Sequence, residues 1–124
     1  MKRLLLPLAI LCGSCSSDQG VLALTGNWGG TNAGLEATAS GATFHFKCGA
    51  HGEVASPLKV DASGRFDQAG TYDPALVAGG PRPAVFRGEV RGSQLSLDVN
   101  VDQAVLGPFQ LAKDEPARFD VCNF

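Results

Sequence analysis

Gln94-Leu95-Ser96-Leu97-Asp98-Val99-Asn100-Val101 is the stretch that decides the fold. Leu95, Leu97, Val99 and Val101 fall on one face of an extended chain, and Ser96, Asp98 and Asn100 on the other. Period-two alternation of this kind marks a half-buried β-strand. Gly92-Ser93 precedes it, a good two-residue turn. Before that turn Phe86, Gly88 and Val90 alternate with Arg87, Glu89 and Arg91, so the two runs read as a hairpin.

The same grammar extends in both directions. Ser40-Gly41 turns a hairpin from Leu35–Ala39 into Thr43–Cys48, where Phe44 and Phe46 share a face. Leu58 and Val60 alternate with Lys59 and Asp61, and Ala62-Ser63-Gly64 turns into Arg65–Tyr72. Val105–Leu111 and Arg118–Cys122 complete the set. Sixteen glycines and seven prolines punctuate the chain too often for a long helix. The longest loop is Asp73 to Pro83, whose prolines and Gly79-Gly80 argue against regular structure. Seven to nine short strands joined by tight turns predict an all-β antiparallel barrel, with a sandwich as the alternative. One parity does not fit: Cys48 falls with Phe44 and Phe46, whereas Cys122 falls opposite Phe119 and Val121. A bulge or a strand end beside one cysteine would reconcile them.

The N-terminus reads differently. Met1-Lys2-Arg3 is basic, Leu4–Leu11 is apolar, and Gly13, Ser14, Ser16 and Ser17 are small. That is the layout of a secretory signal peptide, and the apolar run is too short to span a bilayer, which needs roughly 20 residues. Leu11-Cys12-Gly13-Ser14-Cys15 resembles the lipobox of bacterial lipoproteins, although Cys12 stands where an aliphatic residue is usual. The resemblance implies cleavage after residue 14 and lipidation (diacylglycerol and palmitate) of Cys15. It places the protein in the cell envelope, held to a membrane; the alternative is a soluble periplasmic or secreted product. Residues 15–24 then form a tether and 25–124 a single β domain.

The mature chain would hold 110 residues with eight basic and twelve acidic side chains, a net charge of −4. There is no basic stripe, which argues against nucleic acid as a partner. Its two cysteines, Cys48 and Cys122, read as a disulfide in an oxidising compartment.

Few residues invite chemistry. His45, Cys48 and His51 have an H-x2-C-x2-H spacing that suggests metal ligation. On a strand, however, His45 and Cys48 point to opposite faces, and Cys48 has a disulfide partner. The expectation is no metal, with His45 and His51 the only candidates. Glu36, Glu53, Asp67 and Asp98 are the acids from which a carboxylate pair would come, but their alternation with apolar residues reads as a solvated face. Gly26-Asn27-Trp28-Gly29-Gly30 is glycine-rich, yet no helix follows to hold a phosphate. Trp28 reads as a plug for one end of the core, its indole N–H bound to a backbone carbonyl. Arg82 and Arg87 could meet an anion. No serine sits in a nucleophile elbow, and no cofactor motif is present.

Leu24-Thr25-Gly26-Asn27-Trp28 resembles the opening strand of avidin-type barrels, and a Gly-x-Trp start is similar to lipocalins. Avidin-type biotin sites use several tryptophans; this chain has one, so biotin binding is not implied. A longer pattern runs from Trp28-Gly29-Gly30 through Gly41-Ala42-Thr43, Phe46 and Cys48. It continues through Gly64-Arg65-Phe66, Gly70-Thr71-Tyr72 and Phe86-Arg87-Gly88 to Cys122. It resembles a family of small uncharacterised bacterial exported proteins, which implies the β architecture and the paired cysteines and no activity.

The functional expectation is a non-enzymatic, lipid-anchored envelope domain that binds an unknown ligand or protein partner or serves structure. Its first rival is a small hydrolase or metal-binding protein working through His45 or His51 with nearby carboxylates. Its second is an inhibitor or assembly factor that presents the 73–83 loop.

Overall fold

Gly92-Ser93 does turn the chain: Gly92 adopts φ 60°, which glycine takes at no steric cost. The turn joins β8 (Arg82–Arg91) to β9 (Gln94–Val101), paired antiparallel from Arg91–Gln94 to Ala84–Val101. In this computed structural model, which describes residues 22–75 and 80–122, the remaining strands are β1 (Leu22–Ala23), β2 (Gly26–Gly30), β3 (Ala33–Thr38), β4 (Gly41–Phe46), β5 (His51–Val54), β6 (Lys59–Val60), β7 (Arg65–Asp73) and β10 (Ala104–Lys113). Eight of them close an antiparallel barrel in the order β10-β2-β3-β4-β5-β7-β8-β9, with β9 returning to β10. Closure leaves the barrel itself, among the described residues, without an open sheet edge. The expected signal peptide, the expected lipidation site at Cys15 and residues 76–79 of the long loop lie outside the described residues.

The alternation read from sequence sets the inside. Leu35, Phe44, Phe86, Leu95, Leu97, Val99 and Leu111 are almost fully buried. Phe44 and Phe86 stack inside the barrel with ring centroids 4.3 Å apart. Facing glycines leave room for the rings: a Cβ on Gly52 would lie 2.5 Å from Cζ of Phe86, and one on Gly88 2.3 Å from Cζ of Phe66. Among the described residues no polar or charged side chain is buried. The interior is a packed core of side chains.

Several boundaries differ from the sequence reading. Leu22–Ala23, assigned to the tether, pair with β6 as a two-stranded ribbon, and Leu24 packs against the core. Arg82 and Pro83, assigned to the loop, open β8. Pro83 is tolerated because β9 ends opposite Ala84, so β8 has no neighbour on that side at this point. In β10 the pairing with β9 shifts register between Leu106 and Phe109, and this bulge accommodates Pro108.

Arg118–Cys122 is not a strand. It belongs to a strap, residues 114–122, that leaves β10 at the end of the barrel where the chain enters, termed the proximal end. It runs along the outside of β2 to the distal end, with a single parallel bridge, Thr31–Arg118, just past the end of that strand. The parity problem of the cysteines dissolves with it. Strand β4 stops at Phe46, and Lys47–Gly49 form a 3-10 turn in which Cys48 has φ 65°. Neither cysteine therefore obeys strand alternation. They are bonded, Cα–Cα 5.6 Å across 74 residues of sequence.

Trp28 closes the proximal end as expected, 3% exposed, with its indole Nε1 donating to the carbonyl of Thr25 at 3.3 Å. Beside it, the turn into β7 is organised by Asp61. Its Oδ1 accepts from Ser63 N (2.9 Å), Ser63 Oγ (2.7 Å) and Arg65 N (3.0 Å). The Arg65 amide and the Ser63 hydroxyl hold its pKa below the ordinary carboxylate value. A depressed folded pKa contributes stability above the unfolded value, about 3.9, that disappears as pH falls through the folded one. The amide resonances of Ser63 and Arg65 should thus stay fixed down to about pH 4 and move together only below it. In Asp61→Asn the joint movement should vanish.

Candidate functional site

The outer wall of the barrel is where polar chemistry collects, since the inside holds none. Three adjacent strands bring His45, His51 and Asp73 into one row: His45 faces His51 across β4–β5, and His51 faces Asp73 across β5–β7. The ring of His45 turns the other way, with Nε2 3.7 Å from Oε1 of Glu36 on β3. His51 Nε2 lies 4.0 Å from Oδ2 of Asp73, and its Nδ1 3.3 Å from the carbonyl oxygen of Gly49. Each imidazole thus has its own carboxylate on its own side. Among the described residues no three His, Cys, Asp or Glu side chains converge on a point where a metal could sit.

The other candidates disperse as well. Glu36 and Glu53 flank Thr43 in one row, two strands apart, about 9–10 Å at the usual strand spacing. Asp67 and Asp98 lie either side of Arg87, in register on β7 and β9. Arg87 Nε donates to Asp67 Oδ2 at 3.1 Å, and Arg82 Nη1 to Asp102 Oδ2 at 2.6 Å. Both arginines suggested as anion ligands already face a carboxylate. These exposed pairs contribute little to stability, and they form an ordinary solvated sheet face.

What the structure adds is the strap. Gly29 and Gly34 are cross-strand partners on the outer side of β2 and β3. Having no side chains, they leave a trough. A Cβ on Gly29 would lie 2.3 Å from the carbonyl oxygen of Glu115, and one on Gly34 2.9 Å from Cβ of Ala117. The strap lies in that trough. Arg118 N donates to the Gly30 carbonyl (2.9 Å), and Asn32 N to the Arg118 carbonyl (2.6 Å). Asn32 and Asp120 clasp each other, Asn32 Nδ2 to Asp120 Oδ2 at 2.9 Å and Asp120 N to Asn32 Oδ1 at 2.8 Å. Cys122 then ties the strap to Cys48.

Between the seated strap and the β4–β5 face lies a hollow of about 630 Å³. Its floor carries Thr43, His45, His51 and Glu53; its wall carries Phe119, Asp120 and the Cys48–Cys122 bond. Phe119 remains 46% exposed and Val121 81%. Of the two, Phe119 lines the hollow, an apolar ring beside two imidazoles and two carboxylates. Phe119 gave no sequence signal as a surface residue, because the parity of a supposed strand placed it with the core.

No protein-family model matches the chain, and neither a curated protein nor a solved structure is significantly similar to it.

Proposed function

We propose that the protein is a non-enzymatic, lipid-anchored envelope domain whose barrel is a rigid carrier for an external binding surface. The observation that carries this reading is the filled interior: with Phe44, Phe86 and five aliphatic side chains packed into the barrel, recognition falls to the outside. The hollow beside the strap is the best-equipped patch. It offers an aromatic ring next to Glu53 and Asp120, which suits a protein segment presenting an apolar side chain beside a basic one. Attachment through Cys15 is supported by the lipobox-like stretch Leu11–Cys15.

A photo-cross-linking amino acid placed at Glu53 in cells should give a discrete adduct. The same group at Arg87, on a wall away from the hollow, should give none. Phe119→Ala should reduce the Glu53 adduct at least several-fold. Equal adducts from both positions, or indifference to Phe119→Ala, would count against the hollow. In parallel, metabolic labelling with a radioactive fatty acid should mark the wild-type chain and leave Cys15→Ser unlabelled.

A further inference from the structure

We propose that the Cys48–Cys122 disulfide is a redox latch: its reduction frees residues 114–122 from the barrel wall and dismantles the hollow, while the barrel stays closed. The regulatory meaning of this step rests on the hollow being the binding surface; the structural step does not.

The strap is separable from the fold it braces. The last buried side chain of the chain's core is Leu111, and the strap contributes none. Asp114, Glu115, Pro116 and Arg118 to Val121 are exposed, and only Ala117 and Cys122 are half-buried. Barrel closure does not pass through the strap either, because β10 pairs directly with β2 and with β9.

Its non-covalent hold is slight. Beyond the clasp of Asn32 and Asp120, the two backbone bonds at Arg118 and the packing of Glu115–Ala117 on Gly29 and Gly34, the only further hydrogen bond to the wall among the described residues is Asp114 N donating to the Asn27 carbonyl at 2.7 Å. Hydrogen bonds open to solvent yield little net free energy. Fixing nine residues, by contrast, costs backbone entropy at every one. A covalent bond at the far end of the strap tips that balance towards the seated state. Once it is cut, the entropy of nine residues, seven of them exposed, favours release.

The chemistry needs only a dithiol reductant. A thiolate of the reductant attacks one sulfur of the pair, the Cys48–Cys122 bond breaks, and a mixed disulfide forms. The second thiol of the reductant then displaces the protein sulfur. The protein gains two electrons and two protons, ending as two thiols, and the reductant ends as a disulfide. Both cysteines are partly exposed and line the hollow, so an attacking thiol can reach them.

The strap carries its own reporter, Arg118, which is followed by a peptide bond that trypsin cleaves; Arg87 and Arg91 report on the barrel. The full chain carrying Cys15→Ser is digested with and without dithiothreitol. Reduction is expected to raise the rate of cleavage after Arg118 at least tenfold and to leave Arg87 and Arg91 nearly unchanged. A double variant, Cys48→Ser with Cys122→Ser, should behave like the reduced protein whatever the buffer. An unchanged rate at Arg118 would overturn the latch, since the strap would then hold without its bond. An equal rise at Arg87 and Arg91 would overturn it too, because the disulfide would be a staple of the whole fold. The Glu53 cross-link in oxidised protein judges the hollow independently: an adduct that survives strap release refutes the regulation and not the digestion result.

Discussion

Phe86→Ala should lower the free energy of unfolding by about 3–5 kcal/mol, the usual cost of emptying a ring from a closed core. Phe86 is fully buried, stacked on Phe44 at 4.3 Å, and its ring edge occupies the space above Gly52. Around the gap stand the Phe44 ring and, at Gly52 and Thr71, barrel backbone with no side chain to fill it. Urea unfolding followed by the emission of Trp28 should show the midpoint fall with little change in slope. The reverse error should hurt through the same contact. Gly52→Ala puts a methyl group 2.5 Å from Cζ of Phe86 and 3.1 Å from the Thr71 carbonyl oxygen, and should cost about 1–3 kcal/mol. Combining it with Phe86→Leu should give a loss smaller than the sum, since the shorter side chain vacates the methyl's position. Strict additivity would mean that ring and glycine are not in the contact described.

Removing the disulfide by Cys48→Ala with Cys122→Ala is the second large effect. Closing a loop over 74 residues restricts the unfolded chain by about 4 kcal/mol in the chain-entropy description. The measured loss should be smaller than that. When the bond is absent the freed strap also gains entropy in the native state, and this offsets part of the difference. A loss close to the full value would mean that the strap stays seated without its bond, against the latch. The urea slope should rise at the same time, because an uncrosslinked denatured chain exposes more surface.

The barrel itself was largely legible in the sequence. Gln94–Val101 is observed with the boundaries and facing its alternation predicts, and the Gly92-Ser93 turn sits where two residues must reverse the chain. Trp28 behaves as a large apolar ring with one donor should. Legibility failed where structure depends on contacts distant in sequence. Nothing local distinguishes Gly29 and Gly34 from turn glycines; only the crossing of Glu115 to Ala117 explains them. Alternation from Arg118 to Cys122 is real, but with one bridge, to Thr31, it does not make a strand. The candidate chemistry dispersed for a related reason. Sequence spacing brought His45 and His51 close, and the register does set them opposite each other, but each ring turns to a different carboxylate.

The disulfide also fixes how the chain would respond to load. A pull on the chain ahead of Leu22, resisted by something gripping the hollow, first meets the β1–β6 ribbon, held by two residue pairs. That ribbon peels open pair by pair. The force then reaches β2, which must shear along two neighbours at once. Beyond Cys48 the polypeptide is a closed covalent loop, so residues 49–121 cannot pay out. Only the residues from Leu22 to Cys48 can lengthen, to about 90 Å at full extension. The oxidised domain is therefore a leash of bounded length, and reduction removes the bound.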